Sequence, residues 1–317
     1  MAKYRDNLPQ LSGGLFLTDG GIETTLIFHD GLDLPYFAAF DLLKDQSGQA
    51  ALRRYFTTHA TIARDNGRGF ILESPTWRAS SDWGAKLGYT KADMAEVNKQ
   101  SIAMLADLRR TLETEQSPMV ISGCIGPRGD GYNPGEVMTA EEAQAYHADQ
   151  INAFAETEAD MVTAITTTNV PEAIGVTRAA QAAAMPVVIS FTVETDGRLP
   201  SGETLKEAVE AVDTATDNGP VYFMINCAHP DHFGQALATG ESWVKRIRGL
   251  RANASRLSHA ELDEAEELDD GNPQEFGEQH SDLHRLLNHL VVMGGCCGTD
   301  HRHIEAICHA CTTAKAA

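Results

Sequence analysis

Along the chain, short apolar runs alternate with longer stretches in which apolar residues recur at helical spacing. The runs are GLFLTDGG (14–21), GFILESPTW (69–77), PMVISGCIGP (118–127), DMVTAITTTN (160–169), PVVISFTVE (186–194), VYFMINCAHP (221–230), GLRANAS (249–255) and HLVVMGGCC (289–297). Most are nearly continuous in their apolar character, the pattern of a strand buried on both faces of a parallel sheet. The amphipathic stretches 90–115, 140–158 and 202–216 predict helices between them. Eight alternating units predict an α/β fold of the (β/α)8 TIM-barrel type, a single domain spanning 1–317. The polar stretch around 256–280 reads as an insertion after the seventh strand, and its acidic part, ELDEAEELDDG (261–271), as a solvated face. A doubly wound open sheet is the rival, but no G-x-G-x-x-G follows a strand to support it.

Composition narrows the function classes. With 317 residues, 42% of them hydrophobic, the chain buries a large core. Its 25 Lys and Arg stand against 45 Asp and Glu, a net charge of −20 that opposes attraction to nucleic acid or anionic lipid. The N-terminus has no apolar core of a signal peptide, and no later segment approaches the ~18 apolar residues of a membrane span. A soluble cytoplasmic protein is expected. In that setting the six cysteines read as thiols, ligands or nucleophiles, not as a disulfide framework.

Barrel chemistry gathers where the strands end. Cys227 ends the sixth strand, and Cys296 and Cys297 end the eighth, so the three sulfurs are expected to converge above the barrel mouth. Three thiolates make a zinc site whose fourth position stays open to water or substrate. Gly294, Gly295 and Gly298 are expected to let the backbone turn so that both neighbouring cysteines face one ion. Cys124 reads as core filler. Cys308 and Cys311 form a C-x-x-C within a C-terminal helix and read as a helix face. His301 and His303 are expected to be exposed in that helix's first turn.

TDGGIET (18–24), NCAHP (226–230) and GGCCGTDHRHI (294–304), in that order, resemble the signatures of the zinc-dependent homocysteine S-methyltransferases, the family of the betaine- and S-methylmethionine-using enzymes. The resemblance implies a (β/α)8 barrel with Zn2+ on Cys227, Cys296 and Cys297. It also implies that Asp19 pairs with the substrate ammonium and that the Gly20 and Gly21 backbone N–H groups meet its carboxylate. Glu23 reads as a helix-start residue. Asn226 is expected near the zinc cysteines and Asn253 on the pocket wall. Two departures stand out. Ile165 occupies the position where relatives often carry a glutamate, and ESPTWRAS (73–80) replaces an aromatic-rich threonine segment, with Trp77 and Arg78 available to a donor's cation and carboxylate. Glu73 or Glu194 is the candidate to restore the lost negative charge.

The expected activity is zinc-dependent methyl transfer from a small cationic donor to the homocysteine thiol, giving methionine. Three electron-rich thiolate ligands suit alkyl transfer better than hydrolysis. A sulfonium donor, S-methylmethionine or S-adenosylmethionine, is preferred to betaine because it leaves as a neutral thioether. Another thiol or selenol acceptor, a zinc hydrolase and a non-catalytic zinc protein are the alternatives. Small molecules are the expected partners, with a lean towards a monomer.

Overall fold

The computed structural model describes residues 1–265 and 267–313. Eight parallel strands close into a barrel in sequence order: β1 (Phe16–Leu17), β2 (Gly69–Glu73), β3 (Met119–Ile125), β4 (Met161–Thr167), β5 (Val187–Thr192), β6 (Tyr222–Asn226), β7 (Ile247–Ala252) and β8 (Val292–Gly295). The helices between and around them are α1 (Gln46–Asp65), α2 (Ser81–Lys86), α3 (Lys91–Leu112), α4 (Ala140–Ala155), α5 (Val170–Ala182), α6 (Leu205–Thr216), α7 (Pro230–Leu237), α8 (His259–Glu264), α9 (Pro273–Leu286) and α10 (His301–Thr313). Local chemistry starts several of them. Thr90, Thr139 and Thr204 each close a capping box with an acid three residues on, at the heads of α3, α4 and α6.

The side-chain period of two sorts each strand between two cores. Phe70, Leu72, Met119, Ile121, Val187 and Ile189 join the core between sheet and helices. Their neighbours Ile71, Val120 and Val188 join Phe16, Met161, Tyr222, Met224 and Val292 inside the barrel, with Leu8 of the N-terminal segment closing that end. Two residues further along each strand the inward position turns polar: Glu73, Ser122, Thr163, Ser190, Asn226 and Arg251, all buried. An apolar plug therefore supports a polar floor, and the floor faces the strand C-termini.

The expected barrel is present, and three of its expected details change. β1 is only two residues long, although Thr18 and Asp19 keep backbone bonds to β8 as the chain enters the site. Residues 256–280 are not wholly an excursion, since α9 begins at Pro273 and buries Phe276, His280 and Leu283. Its helical stripe was hidden because a histidine holds an apolar position. His280 is fully buried, donates from Nδ1 to the Phe276 carbonyl at 2.8 Å and is pushed by burial down to about 4. His303 is likewise buried, against Asp300 and the Asp270 carbonyl, while His301 is exposed as expected. Among the described residues, no helix is long and apolar enough to cross a membrane.

Candidate metal centre and active site

Cys227 follows β6 in a left-handed backbone conformation, φ 51°, which strains any residue with a Cβ and redirects its side chain off the strand. Its N–H donates to the Arg251 carbonyl at 3.1 Å. Cys296 and Cys297 follow β8, with the Cys296 N–H on the Ala252 carbonyl at 2.8 Å. The Sγ atoms of all three lie within 4.8 Å of one another, and those of Cys227 and Cys297 are 3.9 Å apart. Thiolates placed tetrahedrally about ~2.3 Å from an ion stand ~3.8 Å apart, so this spacing fits a zinc-sized thiophilic metal. The neighbouring thiols and Arg251 hold Cys296 well below the usual thiol range, while the same thiol contacts and burial raise Cys227.

The glycines act partly by close approach. A Cβ on Gly294 would lie 1.9 Å from Thr18 Oγ1, and one on Gly295 would lie 2.0 Å from Thr299 Oγ1. Only Gly298, at φ 78°, supplies the expected turn.

Asp19 is buried at the mouth, but its charge is already engaged. Arg251 Nη2 lies 2.8 Å from Asp19 Oδ1, and the Tyr55 hydroxyl donates to Oδ2 at 2.8 Å. Arg251 also donates to the Gly295 and Gly20 carbonyls, tying β1, β7 and β8 together beneath the cysteines. The Gly21 N–H donates to the Thr299 carbonyl at 3.0 Å and is thus already satisfied within the protein. Asn226 lies beside the cysteines: its Nδ2 is 4.0 Å from Cys296 Sγ, and it exchanges bonds of 2.9 Å with both the N–H and the hydroxyl of Thr166. Asn253 is buried and does not line the cavity, so a wall role for it is corrected.

The cysteines open into a cavity of about 380 Å³, lined also by Asp19, Glu23, Glu73, Trp77, Arg78, Cys124, Tyr132, Ile165 and Arg251. Glu23 is thus more than a helix-start residue; burial lifts its carboxyl to about 7. Arg78 is sandwiched between Trp77 and Trp83, its Cζ 3.9 Å from each ring, and donates to the Gly129 carbonyl at 2.9 Å. Burial pushes it down to about 10. One face of Trp77 is therefore covered by Arg78, which leaves less of the ring for a donor than expected. Glu194 turns away to His259 at 3.0 Å. Cys311 packs its Sγ 3.7 Å from Met293 Sδ in the core, and neither it nor Cys308 joins the thiol cluster.

Sequence reasoning missed Arg251, Tyr55, Tyr132 and His259. The Tyr132 hydroxyl reaches 3.2 Å from Cys297 Sγ, and its ring stacks on His259 at 4.0 Å. His259 Nε2 is 2.7 Å from the Cys227 carbonyl. The acidic stretch is solvent-exposed at Asp263, Glu267 and Asp269, as expected, and these residues with Leu262 and Leu268 also rim the cavity.

A parallel barrel that gathers three thiols at its C-terminal mouth, at a spacing that could hold a metal ion, points to thiol chemistry. The sequence profile of the homocysteine S-methyltransferases matches residues 16–311, and the chain belongs to that family. No curated protein matches it. Among solved structures it is similar to the homocysteine methyltransferase MmuM from Escherichia coli. For the metallated form the TM-score is 0.73 at 18% identity, covering 94% of this chain and 96% of that one. For the oxidised form the TM-score is 0.71 at 20% identity, covering 92% and 94%. The chain is thus a homocysteine methyltransferase by family, and the fold is shared with MmuM.

Proposed function

We propose that Cys227, Cys296 and Cys297 hold Zn2+ and that the methyl group reaches homocysteine from a small sulfonium donor, giving methionine. The carrying observation is the thiol triad at metal-binding spacing, open to the cavity above the polar floor. Zinc bound there supplies a Lewis acid that keeps the acceptor sulfur, a thiol of pKa ~8.5 when free, as nucleophilic thiolate at neutral pH. The Tyr132 hydroxyl tempers the charge on Cys297, and Asn226 does so more weakly for Cys296. Trp77, Tyr132, Leu262 and Leu268 bring apolar surface to the cavity wall.

The cavity's charge supports the donor class. Asp19, Glu23, Glu73, Asp130, Asp263, Glu267 and Asp269 line it, against the two cations Arg78 and Arg251. Arg251 is neutralised by Asp19, which leaves Arg78 to receive a donor carboxylate. A cationic donor is drawn to such walls, and a sulfonium departs as a neutral thioether that needs no proton. The test is a donor panel with zinc-loaded protein and homocysteine, following methionine by mass. Methionine should form from S-methylmethionine or S-adenosylmethionine, and more slowly or not at all from betaine. Arg78→Lys should raise the KM for S-methylmethionine and leave that for homocysteine unchanged. Turnover with betaine alone would reverse the donor assignment, and no methionine from any donor would overturn the reading.

A further inference from the structure

An α-amino acid entering a closed cavity brings an ammonium that needs a carboxylate, because an unpaired buried charge costs several kcal/mol. Asp19, the obvious partner, spends one oxygen on Arg251 and the other on Tyr55. Position 165 on β4 offers only an isoleucine side chain. Glu194 is held by His259 and does not line the cavity.

We infer that Glu73, at the end of β2, is the carboxylate that receives the α-ammonium of the acceptor and so sets the enzyme's preference for an amino-acid thiol. The assignment rests on homocysteine being the acceptor. Glu73 is 6% exposed and lines the cavity that holds the cysteines. Its Oε1 accepts from Thr163 Oγ1 at 3.0 Å, and Thr163 in turn shares a 2.8 Å bond with Ser122. This chain of hydroxyls carries the carboxylate across β3 to the inner face of β4, two residues before Ile165. Its Oε2 is buried with no hydrogen-bond partner among the described residues, and no ion pair engages it. One fixed bond on Oε1 and none on Oε2 leave a directed acceptor, which is what a protonated amine of the substrate would satisfy. Burial lifts the Glu73 carboxyl to about 7, and the nearby Arg251 offsets only part of that rise.

The inference is tested by calorimetric binding of L-homocysteine and of 4-mercaptobutyrate, the same thiol without its amino group, to zinc-loaded full-length protein. The parent should prefer homocysteine. Glu73→Gln, which keeps shape and the Thr163 contact, should weaken homocysteine on the order of tenfold to a hundredfold and leave 4-mercaptobutyrate within about twofold. Glu73→Asp should restore part of the preference. Unaltered thermal melting and zinc content would establish that the variants fold. Equal weakening of both thiols, an unchanged homocysteine affinity, or a parent without preference overturns the assignment. So does loss of the preference in Glu23→Gln but not in Glu73→Gln. A parent that shows the preference yet makes no methionine from any donor contradicts the proposed reaction and leaves the ammonium site in place.

Discussion

Asp19 and Arg251 show how one ion pair can reassign a residue. From the motif alone, the aspartate is free for substrate; in the fold it is 2.8 Å from a guanidinium with only 7% of its side chain exposed. Arg251 stays firmly charged despite burial because Asp19 and Glu73 favour the cation. Removing one partner leaves the other charge buried and alone, a loss of about 3–5 kcal/mol in comparable pairs. Asp19→Asn is therefore expected to lower the urea midpoint substantially, not merely to weaken homocysteine binding. Arg251→Met should do the same, and the double variant should lose less than the sum of the two. Equilibrium unfolding of the four proteins measures this, and strict additivity would show that the pair is not coupled. Cys227 bears a different constraint. Its φ of 51° is costly for a residue with a side chain, and it is kept because neighbouring bonds hold both its N–H and its carbonyl.

At the scale of elements, most of the eight strands were legible because burial on both faces makes them nearly continuous apolar runs, and Cys227, Cys296 and Cys297 were legible because each lies at a strand end. The polar floor could also have been found. Counting by twos from Ile71, Val120 and Met224 leads to Glu73, Ser122 and Asn226, and a charged Arg251 inside GLRANAS signals a partner within the barrel. Tyr132 and His259 left no such trace. Both lie outside the strands, and their meeting depends on how the 127–139 loop and the segment after β7 fold over the mouth. His259 links these pieces, stacking on Tyr132 while its Nε2 donates to the Cys227 carbonyl at 2.7 Å. Loss of a group that orients a metal ligand typically costs ~10–100-fold in metal affinity. His259→Ala should accordingly weaken zinc by about tenfold or more in chelator competition while leaving the barrel's far-ultraviolet signal intact. Unchanged zinc affinity would reduce His259 to a packing residue.

Across the whole molecule the architecture divides its labour along the barrel axis. The N-terminal segment and the apolar plug close one end, with the buried Arg109–Asp160 pair at 2.6 Å beside the segment's Lys3 and Tyr4, whose N–H groups also reach Asp160. The other end carries the thiols, the polar floor and the acidic wall. A net charge of −20 suits a small cationic partner and disfavours polyanions. The central claim is that the three thiols form an open metal centre whose last position takes the acceptor sulfur. X-ray absorption at the zinc edge of the zinc-loaded protein tests it most directly. Without homocysteine the metal should be bound by the three cysteine sulfurs and one lighter atom; with homocysteine it should gain a fourth sulfur at ~2.3 Å. A sulfur count that does not change on adding homocysteine would contradict the account.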